Sequence, residues 1–383
     1  MVQAGEQRPV STRAPSQAEI PSLTSLRGVL AVWVVLFHFW NDILVMFPWV
    51  SPLSPVARRG DFAVPAFFVL SGFVLARRYG PEFRHAANRS IPRFLARRLT
   101  RIYPVHVVTL AWVLVMVVAA RRLGYGLSDS GYSGREFLMN LFLVHAWTPH
   151  LVLSWNYPSW SISSEWFVYL LFPFLVRHLS LATGTPVRAR SSFGVCAGLS
   201  VAVLLFWENL PFREMVVVVP TFVAGMLAYG LIQEAGETKP APAPVVPLAL
   251  AAVVLLACYL PGRSGLAILL FALLTLVPAL ARRPGSRRLQ RTFGLLLLGE
   301  VSYSLYMTHT LAQKILYRAL PSAHFSGASL GVRVGVLGCY AALVLALCGM
   351  TYVFVERPGR QWGRRWTAGP GKSSGWAPTE MPG

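Results

Sequence analysis

Apolar stretches about twenty residues long recur along this chain, separated by short loops that carry arginine, and this leaves few folds open to it. A helix that spans a bilayer needs about 20 mostly apolar residues. Ten candidates lie near 24–44, 62–77, 102–120, 160–177, 191–208, 214–232, 245–261, 264–281, 293–313 and 331–355. The predicted fold is therefore all-α and polytopic, with about 10 transmembrane helices. Hydrophobic residues are 55% of the 383, and mean hydropathy is +0.52, both too high for a soluble globular protein. No polar stretch is long enough to build a second core. The expected organisation is a polar N-terminal segment (1–21), one membrane domain (22–360) and a Gly/Pro/Ser-rich tail (361–383) expected to be disordered. No small-residue cleavage site follows the first apolar run, which reads as a retained helix.

The net charge of +20 would suit a nucleic-acid binder, but the basic residues sit between apolar spans, where they set topology instead. No nucleic-acid partner is expected. With a cytoplasmic N-terminus, roughly 25 of the 35 Lys and Arg residues fall on the inside, most densely in loops 77–101 and 282–291. Both termini are then cytoplasmic, and the expected location is the plasma membrane, crossed many times. The longest outside segment, 121–159, holds a helix-like stretch, GREFLMNLFLVHAW, suited to the interface. Cys196, Cys258, Cys339 and Cys348 lack paired or metal-ligand spacing, so neither a disulfide framework nor a metal site is expected.

Five ionisable side chains lie within these stretches: His38, His106, Glu165, Glu300 and His309. Titratable groups in hydrocarbon are costly, so each is a functional candidate. His38 follows Arg27 by eleven residues, which returns to nearly the same helix face roughly 16 Å farther along. Counting inward from Trp160 puts Glu165 roughly 8 Å below the outer surface. His309 falls near the outer end of its span, so His38, Glu165 and His309 are expected at similar depth in the outer half. Arg98, Arg101, Glu300 and Glu356 lie towards the cytoplasm. Each has a plainer reading. A buried histidine can simply bond a neighbouring helix, Arg98 and Arg101 can mark topology, Glu300 can pair with a loop arginine, and His106 reads as structural.

The residues also match a family pattern. Arg27 and His38 form Arg-x10-His; FFVLSGF stands at 67–73; RRLTRIYP stands at 97–104 with Arg98 and Arg101. The fourth span opens with Trp-Ser-x-x-x-Glu as Trp160, Ser161 and Glu165; the ninth reads GEVSYSLYMTH; ERP stands at 356–358. Over about residues 22–360 the chain resembles the acyltransferase-3 family of integral-membrane O-acyltransferases. The hydrolase-like domain that some family members append is not expected here.

The resemblance implies acyl transfer from acyl-CoA, with acetyl-CoA the expected co-substrate, to an acceptor hydroxyl, and no permanently bound cofactor. Arg27, Arg98 and Arg101 would hold the phosphates, and the pantetheine arm would cross about half of a 30 Å core. His38 would be the base, with Glu165 orienting the imidazole. Asn156, Trp160, Ser161, Tyr303 and His309 form the expected substrate-binding set, with Asn156, Ser161 and Tyr303 as oxyanion candidates. The acceptor would be a macrolide or other glycosylated natural product, with an envelope polysaccharide or lipid-linked glycan as the alternative. Proton-coupled transport or flipping is a rival from another class, since it too uses buried His and Glu, although no internal repeat is visible. The residues say nothing of oligomeric state.

Overall fold

The computed structural model describes residues 20–85, 90–125, 131–149, 154–179, 212–235, 245–260, 264–282 and 294–367, with isolated positions 194, 198 and 202. Every regular element among them is helical. The principal helices are α1 (Pro21–Met46), α2 (Ala63–His85), α3 (Ser90–Arg122), α4 (Gly134–Leu141), α5 (Trp160–His178) and α6 (Arg213–Ala235). They continue as α7 (Val245–Cys258), α8 (Ser264–Arg282), α9 (Leu295–Ala319), α10 (Leu330–Thr351) and α11 (Arg357–Thr367). Each expected span coincides with a helix except 191–208, which lies outside the described residues save for positions 194, 198 and 202. Five helical stretches among those described are long and apolar enough to cross a bilayer: Pro21–Met46, Pro48–Phe83, Ile91–Arg122, Met215–Gln233 and Leu330–Thr367. Helices α5 and α9 fall short because they carry serines, Glu165, Glu300 and Lys314 where lipid-facing helices carry leucine.

Local chemistry explains the boundaries. Pro21 sits in the first turn of α1, where its missing N–H costs nothing. Pro48 ends that helix by disfavouring helical geometry at Phe47. Ser133 caps α4, its hydroxyl accepting the Glu136 N–H at 3.2 Å.

Three expectations need correction. The loop 77–101 is largely helical: α2 runs to His85 and α3 starts at Ser90, so Arg98 and Arg101 project from the first turns of a 33-residue helix. In GREFLMNLFLVHAW only the first eight residues are helix, and the chain then turns through Leu143 at φ 57°. Residues 361–367, expected in a disordered tail, are the end of α11, entered through a π-helical turn at Tyr352–Glu356. Glycine makes that docking possible: a Cβ on Gly363 would lie 2.0 Å from Thr100 Oγ1, and Arg97 Nε donates to Thr367 Oγ1 at 2.9 Å.

Two parallel helix pairs form the frame. In α1 and α9, Gly28 meets Gly299, Arg27 meets Ser302 and His38 meets His309, so both helices run the same way. A Cβ on Gly299 would lie 2.0 Å from the Thr24 carbonyl oxygen, so the backbones touch there. In α2 and α6, Gly225 packs on Val69 and Phe73 on Tyr229, again in parallel, with Gly72 against the Phe222 carbonyl. Small residues at such crossings let backbones approach where hydrocarbon supplies no hydrophobic drive for association. At one end of the bundle Phe83, Phe94, Phe172 and Phe222 build a buried aromatic floor.

Candidate active site

Above that floor lies a cavity of about 490 Å³ bounded by α1, α2, α3, α5, α6 and α9. Arg27, Arg98 and Arg101 line it, as do Glu165, Ser161 and Tyr303. Arg77 and Arg78, at the end of the apolar run of α2, line it too. Five arginines therefore face one carboxylate. Arg98 is held by rings instead of acids: its guanidinium lies 5.2 Å from the Tyr79 ring, 5.9 Å from Tyr169 and 6.0 Å from Phe94, and it donates to Tyr79 Oη at 2.9 Å. Planar guanidinium stacks on aromatic faces in this way without losing charge. Arg27 donates to Ser302 Oγ at 3.3 Å, which ties the mouth to the α1–α9 pair.

Glu165 accepts a hydrogen bond from Tyr169, one turn along its own helix. Tyr303 Oη donates to the Ile102 carbonyl at 2.6 Å. The far end of the cavity is closed by Tyr306, whose hydroxyl receives Ser161 Oγ at 2.8 Å and donates to the Pro158 carbonyl at 3.2 Å. The Tyr306 ring stands 6.3 Å from Phe67 and 5.9 Å from His309.

Beyond Tyr306 lies a pair of histidines. His309 Nδ1 is 2.7 Å from the Tyr306 carbonyl, and His309 Nε2 is 3.2 Å from His38 Nδ1. His38 Nδ1 is also 2.9 Å from the Val34 carbonyl. A carbonyl can only accept, so His309 must carry its proton on Nδ1 and offer a lone pair at Nε2. His38 then carries its proton on Nδ1, shared between Val34 and His309. His38 Nε2 is left with a lone pair, buried and without a partner among the described residues. That is the protonation state of a base ready to act.

This differs from the expected pairing. The imidazole of residue 38 is oriented by Val34 and His309, not by Glu165. Glu165 lies one turn below Ser161, whose hydroxyl meets Tyr306 below His309, and so sits roughly 10 Å nearer the arginines than the histidine pair does. It belongs to the arginine cavity. His309, expected to touch substrate, has both ring nitrogens engaged within the protein. Asn156 is likewise committed: its amide donates to Thr109 Oγ1 (3.0 Å) and the Met307 carbonyl (3.3 Å), and Thr310 donates to its oxygen at 3.3 Å. Trp160 packs against the core outside the cavity lining, and His38 does not line the cavity itself. His106 bonds the Asn140 carbonyl at 2.8 Å and Glu300 is exposed. Glu356 is buried and accepts from Ser304 N at 3.1 Å and from Arg360, locking α9 to α11.

Residues 20–353 match the family described as an acyltransferase domain. The chain belongs to the acyltransferase-3 family. The matched region takes in most of a chain whose described helices include five long and apolar enough to cross a bilayer. It is 34% identical over 199 residues to the acyltransferase MdmB of Streptomyces mycarofaciens, a match covering 50% of this chain and 46% of that protein. It is 27% identical over 337 residues to the exopolysaccharide production protein ExoZ of Rhizobium meliloti (strain 1021), covering 81% and 93% of the two. A protein of Acidianus two-tailed virus is 26% identical over 55% of this chain and 56% of its own. The chain therefore spans about half the length of the first and third of these relatives. No solved structure matches.

Arg77, Arg78 and Tyr306 are cavity residues that the sequence reading left out. The arginine pair was visible, directly after FFVLSGFVLA, but served there only as a topology marker. Tyr306 stood within SYSLYMTH; its position at the cavity's end follows from the α1–α9 register, which spacing within one helix does not give.

Proposed function

We propose that the protein transfers an acyl group from acyl-CoA to an acceptor hydroxyl, with acyl-CoA entering the arginine cavity from the cytoplasm. The observation that carries this is the five-arginine cavity, which ends at the tyrosine next to the paired histidines. Its excess cationic charge suits the phosphates of coenzyme A, and ring-held Arg98 need not break an ion pair to accept them. The proposal includes about ten spans with both termini cytoplasmic, in the plasma membrane, an orientation that the loop arginines favour.

The acyl end displaces Tyr306 and reaches His38. His38 Nε2 takes the proton of the acceptor hydroxyl as its oxygen attacks the thioester carbonyl. The tetrahedral intermediate collapses with cleavage of the C–S bond, and the thiolate leaves, taking up the proton that the imidazolium returns. His309 holds the ring through both steps. Glu165, beside the arginines, fixes the pocket wall through Tyr169. No covalent acyl-enzyme is needed. The acceptor is a sugar-borne hydroxyl, on a glycosylated natural product such as a macrolide or on a glycan; near full-length likeness to an exopolysaccharide production protein favours the glycan.

The test is His38→Gln in purified full-length protein. Hydroxyl-dependent thiol release from acetyl-CoA should vanish while acetyl-CoA still binds. Turnover at the wild-type rate would remove His38 as the base.

A further inference from the structure

A second cavity, of about 340 Å³, lies at the opposite end of the bundle between the last turns of α3 and α9. Helix α3 gives it an apolar wall of Val113, Met116 and Val117, while α9 places Lys314 and Arg318 over it, one turn apart. Among the described residues neither cation has a carboxylate partner. Lys314 donates to the Trp155 carbonyl at 2.9 Å and to Tyr132 Oη at 3.3 Å, and Arg318 lies 4.3 Å from the Tyr125 ring. A cation at a helix end ordinarily reaches out to interfacial water. Arg318, which is exposed, fits that account. Lys314 does not: it is half-buried and turned inward onto a carbonyl presented by Trp155, which holds a left-handed φ of 48°. Strained backbone of this kind persists where the surroundings impose it.

The cavity is also joined to the histidine pair. Gln313 lines it and donates to the His38 carbonyl at 2.6 Å. The proposed base thus stands between two cationic cavities, and the donor accounts for only one.

We propose that this second cavity binds an anionic phosphoester carried on an apolar tail, and that this is how the acceptor docks from the outer leaflet. Lys314 and Arg318 meet the phosphate, and the apolar wall of α3 meets the start of the tail. Charge complementarity selects this occupant: an uncharged acceptor would leave the inward-turned Lys314, and Arg318 one turn on, without an anion at the cavity. The docking role rests on the acyl-transfer reading above; the binding itself does not.

The experiment measures binding of phosphatidylglycerol, phosphatidylcholine and inorganic phosphate to the purified full-length protein in detergent, by thermal stabilisation and native mass spectrometry. Phosphatidylglycerol should stabilise the protein selectively over phosphatidylcholine. Lys314→Gln with Arg318→Gln should weaken that effect roughly 30-fold, at about 1 kcal/mol per cation, without changing acetyl-CoA affinity. Arg318→Gln alone, an exposed change, should give an intermediate loss and guards against misfolding of the double variant. Equal stabilisation by both lipids, retention in both variants, or an equal effect of inorganic phosphate alone would overturn the proposal. Failure of the acyl-transfer reading shows separately, as no hydroxyl-dependent thiol release by the wild type.

Discussion

Gly299→Ala tests whether the α1–α9 contact positions the chemistry. A methyl there would sit 2.0 Å from the Thr24 carbonyl oxygen, where ordinary contact begins at 3.4 Å. Relief takes a separation of about 1.4 Å between the helices, because the obstructing atom is backbone and cannot swing aside. Overpacking of this kind costs about 1–3 kcal/mol. The larger consequence is geometric. The Arg27–Ser302 hydrogen bond is already 3.3 Å and the His38–His309 contact 3.2 Å, so both break when the helices part. A misplacement of about 1 Å at a reacting group can cost about 10²-fold in rate. The expected outcome is a Tm lower by several degrees, and kcat for hydroxyl-dependent thiol release reduced about 10²-fold. Gly335→Ala, where nothing lies within 4 Å of the added carbon, should change neither. A Gly299→Ala protein with kcat within twofold of wild type would show that the helix contact does not set the register of the histidines.

Two further substitutions separate donor binding from chemistry. Arg98→Lys keeps the charge but loses the planar stacking on three rings, so the KM for acyl-CoA should rise about tenfold with kcat nearly unchanged; a fall in kcat alone would contradict a binding role. Tyr306→Ala opens the cavity's end towards His38, and acceptor-independent thiol release should increase several-fold as water gains entry, whereas Tyr306→Phe, which retains the ring, should not show it. Equal hydrolysis in the two variants would mean that the ring is no barrier.

The frame of the fold was legible because apolar length and arginine placement are properties of the chain itself. Nearly every span predicted from them coincides with a helix. The limits of that reading are equally physical. Arg98 and Arg101 sat in a segment polar enough to pass for a loop, yet tertiary packing against α11 and the aromatic floor keeps it helical. Depth along single helices grouped His38, Glu165 and His309, but counting residues cannot tell which helices touch or how far each is shifted along the axis. The α1–α9 glycine contact pairs His38 with His309, and the Ser161–Tyr306 bond between α5 and α9 separates Glu165 from them. Asn156 and His309 were expected to bind substrate. Their hydrogen bonds, invisible in sequence, assign them to holding α3, α9 and the imidazole in place.

The aromatic cage around Arg98 has a consequence for turnover. The phosphates that would anchor the donor are the same on the spent thiol, and rings that never compete with an anion give no advantage to one over the other. Affinity gained at that end is therefore gained equally by the leaving molecule. Under the proposed acyl-CoA chemistry, departure of free coenzyme A would be the natural bottleneck of the cycle, and the spent carrier would act as a competitive inhibitor at concentrations near those of its acylated form.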